Sequence, residues 1–278
     1  MRVSRVTEAD WTTVVGFVVG STIYILLIVE GLFRHGALTA IPEATNGLIN
    51  TTFVSSLVAT LVLIGGIILW YGTLSPSDLE LSPEKVPIGV GLTVGIWLAI
   101  QVTTLFVGMV LGGTRLHPIW TEVGILAIFG QVIGHLFGNA VYEELGFRAF
   151  LFPQLYLKLR GYWWDGHPVR RAVIALVASQ GVFTLLHAPI LLFNGATGLV
   201  LVQSLAAIFG FAVFLTVVYV RTRNIFFTIG VHALLNFSAP VVEVPGFDSS
   251  VVLFVGTVVV LVAWPRLWFG RSGSILDT

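Results

Sequence analysis

Runs of eighteen or more apolar residues recur along this chain, and that recurrence restricts the folds open to it more than any other feature. Within hydrocarbon every backbone N–H and C=O must be satisfied inside the protein, so such runs form helices that cross a bilayer. Hydrophobic residues make up 56% of the chain and charged residues 10%, with a mean hydropathy of +0.96, far from a soluble balance. The net charge is zero, which gives nucleic acid no electrostatic handle. There is no cysteine, so disulfides, thiolate metal ligands and cysteine nucleophiles are excluded together.

The pattern predicts spans near 12–33, 52–72, 88–112, 123–157, 172–189, 199–219, 225–240 and 251–265. The first follows Arg2 and Arg5 as a signal peptide would. At about 22 residues it is too long for an h-region, and Leu38-Thr39-Ala40 is a poor cleavage site, so it reads as helix one. The fourth is long because apolar residues continue past a charged motif, and Pro153 is expected to kink or end it. Connections are short and carry Pro, Gly, Ser or Asn, as at Ser75-Pro76-Ser77 and Ser82-Pro83. With no internal repeat and no dividing linker, residues 1–278 read as one all-α membrane domain. The expected architecture is a polytopic bundle of eight transmembrane helices around an intramembrane polar cavity.

Eight spans put both termini and the even loops on one side. Arg2, Arg5, Lys85, Lys158, Arg160, Arg170, Arg171, Arg221, Arg223, Arg266 and Arg271 fall there, against Arg34 and Arg115 opposite. By the positive-inside rule both termini then face the cytoplasm, in the cell membrane of a prokaryote. Tyr162, Trp163 and Trp164 lie among the basic residues, as an interfacial aromatic belt would.

Three motifs break the apolar pattern: Glu143-Glu144-Leu145-Gly146-Phe147-Arg148, His187, and His232 with Asn236. Each ionised group at the bilayer centre costs roughly 2.5–3.5 kcal/mol, so three unpaired charges would cost on the order of 7–10 kcal/mol and call for partners or a function. Glu144 and Arg148 stand at i,i+4, the spacing of a helical ion pair, which leaves Glu143 unpaired on its own turn. Glu143 precedes Lys158 by 15 residues and His187 follows Arg171 by 16, so both lie roughly 22–24 Å from their basic ends. His232 and Asn236 follow Arg223 by 9 and 13 residues, or roughly 14–20 Å. All four side chains can share one layer. Gln131, His135, Asn139 and Glu143 follow at steps of four and give helix four a polar stripe.

A carboxylate and an imidazole converging in a low-dielectric pocket can hold and deprotonate a water. A second imidazole with an amide can donate to a developing oxyanion. The set suits amide-bond hydrolysis by activated water. One Glu with two His would equally suit a zinc site, and the spacing alone separates neither case from the other.

In order and spacing, Glu143-Glu144-x-x-x-Arg148, Phe183-x-x-x-His187 and His232-x-x-x-Asn236 resemble the motifs of CAAX-protease and bacteriocin-processing (CPBP) membrane proteins, which include the Ras-converting CAAX prenyl endopeptidases. The resemblance covers roughly 123–240, helices four to seven. It implies an intramembrane endopeptidase in which Glu143 and His187 activate water, His232 and Asn236 form the oxyanion hole, and Glu144 with Arg148 is a supporting pair. Its substrate would be a membrane-anchored, lipidated or prenylated protein, cut near the C-terminus within the lipid bilayer. No cofactor is the favoured expectation; the alternative is zinc on Glu143, His187 and His232. The family's small residues and proline before the acidic motif are replaced here by Gly138-Asn139-Ala140-Val141-Tyr142.

Blander readings stand beside these. Glu143 could be a structural acid, His187 a satisfied core histidine, and His232 with Asn236 an interhelical contact. His135 and Asn139 read as cavity lining or helix contacts, and Gln180 as a helix contact near the site. Glu30, Glu122, Asp165, His35, His117 and His167 sit near predicted ends or loops, where solvation accounts for them. The competing functions are a proton-coupled transporter, which would show inverted repeats, and a non-catalytic scaffold or immunity protein of the same fold. The chain has no His-Glu-x-x-His motif, no Gly-x-Ser-Gly nucleophile, and no aspartate in a predicted span.

Overall fold

The computed structural model describes residues 6–161 and 167–267. Arg2, Arg5, Tyr162, Trp163, Trp164, Asp165 and Arg271 lie outside the described residues. Among the described residues six helical stretches are long and apolar enough to cross a membrane: α1 (Trp11–Leu32), α2 (Thr51–Tyr71), Pro76–Leu111, α4 (Ile125–Lys158), α5 (Pro168–Phe193) and α6 (Gly198–Thr222). The continuous helix within the third is α3 (Val86–Leu111). The last two expected spans form shorter helices, α7 (Ile225–Asn236) and α8 (Ser250–Leu267, apolar through Trp264). At 1.5 Å per residue α7 is about 18 Å long, against a hydrocarbon core of about 30 Å. The protein is an integral, all-α membrane protein; by length, six of the eight expected spans stand.

The charged motif lies in α4, whose winding is unusual. Gly134–Ala140 and Glu144–Leu151 widen to i→i+5 hydrogen bonding, separated by one α-turn at Val141–Glu143. Pro153 does not end this helix. It falls in the first turn of the α-segment that resumes at Phe152, where a missing N–H removes least.

Small residues set how closely α4 meets α2. Gly130, Gly134 and Gly138 recur at steps of four and face the start of α2. Asn50 caps α2 by accepting from Phe53 N at 2.8 Å, and its Nδ2 donates to Gly130 O at 2.8 Å. A Cβ at Gly134 would stand 2.6 Å from the Asn50 side chain, and one at Gly130 only 1.9 Å from Gly47 O. Across this contact Phe17 of α1 packs edge-on against Phe147 and Phe150 of α4 at 5.3 and 5.5 Å, in the largest apolar cluster.

Both ends of α7 are tied to other helices. Asn224 accepts from Phe227 N at 3.1 Å, an N-cap, and donates to Lys85 O at 3.0 Å. Beside it the buried carboxylate of Glu80 takes Arg223 at 2.5 Å and Lys85. The helix stops at Asn236 rather than 240 because the following backbone is claimed by other elements. Trp97 and Trp120 donate to Ala239 O and Pro240 O, Gln101 accepts from Val241 N, and β2 (Val242–Glu243) pairs antiparallel with β1 (Arg115–Leu116). Pro240 also disfavours a helical residue before it, and Ala239 takes φ +44°. α7 is thereby held against α3 and the middle of α4.

Candidate active site

Glu143 and Glu144 project from α4 at the junction of its two widened segments. Glu144 is fully buried and so is Arg148 one turn on, with Arg148 Nη1 3.1 Å from Glu144 Oε1. The Arg148 guanidinium also lies over the Phe183 ring, 4.2 Å from its centroid. A buried ion pair is stable only when further contacts replace lost hydration, and the ring supplies part of that. Glu144 makes one more contact. Its Oε1 accepts the Nδ1–H of His232 at 2.6 Å, across 88 residues of sequence.

That bond orients the imidazole of α7. With Nδ1 committed to Glu144, Nε2 is turned toward Glu143, 3.6 Å from Oε2. This distance is too long for a direct hydrogen bond, and Oε2 of Glu143 is a buried oxygen with no hydrogen-bond partner. Glu143 and His232 are 8% and 6% exposed, so both are shielded yet reachable from the cavity they line.

His187 occupies a break in α5. The α-helical winding runs from Pro168 to Leu185 and resumes at Ala188, with Pro189 in its first turn. Proline has no N–H to continue the ladder, and the chain turns at Leu186-His187 instead. The ring is fixed by Phe183. Its carbonyl, which can only accept, takes the Nδ1–H of His187 at 2.8 Å, and its ring lies 4.6 Å from the imidazole centroid. In the neutral ring this leaves Nε2 with its lone pair free, the state required of a base or a ligand.

One cavity of about 170 Å³ is lined by Glu143, His187, His232 and Asn236, with Asn139 and Arg148 also on its wall. The four residues singled out in the sequence therefore line one cavity, from three separate helices. Asn236 is the last residue of α7 and is exposed on that wall. Asn139 lines the cavity, as its place in the polar stripe predicts. His135 does not line it; its ring packs at 6.2 Å from Phe237, and its Nδ1 is buried without a partner. Gln180 is buried in a contact with Ser179 at 2.9 Å. Glu30 forms an exposed cluster with Arg34 and His35, and His117 stands 3.6 Å from Glu243.

Among the described residues no three His, Asp or Glu side chains converge closely enough to hold a metal ion. Glu143, His187 and His232 line one cavity but do not form such a cluster.

Two residues have roles that the sequence pattern does not assign. Phe183 is the shared support of His187 and Arg148, and its position one turn before His187 is the available signal. Tyr142 donates to Ser21 of α1 at 3.0 Å, a pairing across 121 residues for which the sequence carries no local mark.

Residues 125–238 match a family model described as Type II CAAX prenyl endopeptidase Rce1-like. Among curated proteins and among solved structures nothing matches the chain. The matched segment, less than half of the chain, holds Glu143, Glu144, Arg148, His187, His232 and Asn236, and over it the chain is similar to the Rce1-like CAAX-type membrane proteases.

Proposed function

We propose that this protein is an intramembrane endopeptidase of the CAAX type, which hydrolyses a peptide bond near the C-terminus of a membrane-anchored or prenylated protein. The observation that carries the reading is the convergence of Glu143, His187, His232 and Asn236 on one cavity wall inside a helical membrane protein.

Glu143 Oε2, buried and uncommitted, receives a proton from a water that the Nε2 lone pair of His187 holds in place. The water oxygen bonds to the scissile carbonyl carbon, and the carbonyl electrons move to oxygen. Asn236 Nδ2 donates to that oxyanion, as does His232 from Nε2. A donor at Nε2 requires His232 to carry both ring protons, and its two nitrogens then face one carboxylate each, Glu144 and Glu143. Collapse of the adduct breaks the C–N bond, and Glu143 passes its proton to the leaving amine. Glu144 and Arg148 take no part in bond-making; they hold His232. Both termini and the substrate's entry are assigned to the cytoplasmic side, where most Lys and Arg residues fall.

The test is cleavage of a prenylated C-terminal peptide by purified protein, with Glu143→Gln, His187→Ala, His232→Ala and Asn236→Ala run beside it. Glu143→Gln and His187→Ala are expected to lose at least a hundredfold in kcat while keeping the wild-type unfolding temperature. Full activity in either would sink the mechanism. Activity abolished by a chelator and restored by zinc would replace the metal-free route with a metal-assisted one.

A further inference from the structure

On the other side of Glu143 and His187 lies a second cavity, of about 250 Å³, which also touches Asn139 and Phe183. It is walled chiefly by α1 and α2, which lie outside the matched segment 125–238. One wall is hydroxylic: Ser21 and Tyr24 from α1, Ser55 and Ser56 from α2, and Tyr142 from α4. Tyr142 donates to Ser21, and the Tyr24 hydroxyl lies within reach of Ser55 and Ser56. The same cavity is also lined by the apolar side chains of Ile28, Leu32, Leu186 and Ile190.

We infer that this hydroxyl wall is the subsite that binds the main chain of the substrate on one flank of the cut bond, and that α1 and α2 thereby determine which peptides are taken. The inference rests on the proposed protease function and deepens it. A bond can be hydrolysed within a membrane only after its segment has left the helical state. Its N–H and C=O groups then need partners, because hydrocarbon offers none. Hydroxyls both donate and accept, so a row of them serves an extended backbone without selecting side chains. The volume equals that of about eight waters of liquid, room for a short extended run but not for a folded helix. The apolar lining residues take the side chains or lipid tail of the same segment. The cavity reaches Glu143 and His187 directly, so a peptide seated there leads into the reacting groups.

The plain alternative is that these hydroxyls only join helices, and binding separates the two. The probe is a fluorophore-labelled, prenylated peptide, measured by anisotropy on full-length Glu143→Gln protein in nanodiscs, so that cleavage does not intervene. A second probe carries N-methyl groups on the main-chain nitrogens flanking the cleavage site. Adding Tyr24→Phe, which keeps the ring, is expected to weaken binding of the first probe about fivefold. Adding Ser55→Ala and Ser56→Ala as well is expected to weaken it at least twentyfold. The N-methylated probe should bind weakly throughout and change less than twofold. In the Glu143-containing protein, Tyr24→Phe should raise KM with kcat held within threefold. Unchanged affinity in both wall variants, equal losses for both probes, or no binding of the first probe overturns the inference. Cleavage that survives Glu143→Gln overturns the proposed chemistry instead and leaves the binding comparison to decide the wall.

Discussion

Glu144 accepts the Nδ1–H of His232 at 2.6 Å with the same oxygen, Oε1, that lies 3.1 Å from Nη1 of Arg148. One carboxylate oxygen thus joins a helical ion pair to an imidazole on another helix. The consequence is directional: the ring cannot rotate without giving up its acceptor, so Nε2 stays turned toward Glu143. The two adjacent acids therefore have different tasks. One is spent on geometry and the other remains uncommitted.

Removing the shared carboxylate should cost stability and turnover separately. Glu144→Leu leaves a fully buried guanidinium without its counter-ion, a loss of about 3–5 kcal/mol, read as a lowered unfolding temperature in detergent. The double change Glu144→Leu with Arg148→Met removes both charges and should recover most of that stability. It should not recover peptide cleavage, because His232 still lacks its acceptor. Wild-type turnover in the double variant would refute the orienting role.

Phe183→Leu retains the backbone carbonyl that holds His187 but removes the ring beneath both His187 and Arg148. The cation–π contact, in a desolvated place, is worth about 2 kcal/mol, and the unfolding temperature should fall accordingly. We expect kcat to drop about tenfold with KM little changed, since only the freedom of the ring is altered. An unchanged kcat would show that the carbonyl alone positions His187.

The contact between α2 and α4 tolerates no side chain at Gly134. Gly134→Leu forces the Asn50 cap aside and should destabilise by about 1–3 kcal/mol, as overpacking does. Gly91→Ala in α3 is the control, because an added Cβ there meets nothing within 4 Å. It should stabilise by roughly 0.5–1 kcal/mol, the ordinary helical gain of alanine over glycine. Equal effects at the two positions would remove close approach as the reason for the Gly130, Gly134, Gly138 series.

Glu80 receives both Arg223 and Lys85 at the start of α7. Its own φ is +57° and that of Arg223 is +47°, left-handed values that non-glycine residues adopt at a cost. Glu80→Gln abolishes the compensation and should destabilise by roughly 3 kcal/mol, with earlier proteolytic cutting in the loop between α6 and α7. Cleavage activity per folded molecule should be unchanged, as Glu80 lines neither cavity at Glu143.

Several of these relationships are legible in the order of the residues. The i,i+4 spacing of Glu144 and Arg148 implies their pairing, because helical geometry makes neighbours of residues one turn apart. Counting residues inward from basic ends gives Glu143, His187, His232 and Asn236 similar expected depths, and the four line one cavity. The Gly130, Gly134, Gly138 series is equally visible at its steps of four, yet the polar stripe one residue along is the louder signal, since polar groups in hydrocarbon are the rarer event.

Other features have no local mark. The widened turns of α4 and the passage of the helix through Pro153 depend on what packs around them. The early end of α7 depends on Trp97, Gln101 and Trp120, which reach its following loop from far away in the chain.

The sequence by itself determined that this is a helical membrane protein with carboxylates and imidazoles set into its apolar helices, since hydrophobic length and residue spacing are properties of consecutive residues. Only the tertiary structure decided which acid holds His232 and which is left open, and that α1 and α2 contribute a hydroxyl wall beside it. Those outcomes depend on how each helix is rotated against its neighbours, and the rotation is set by close packing among residues far apart in the chain.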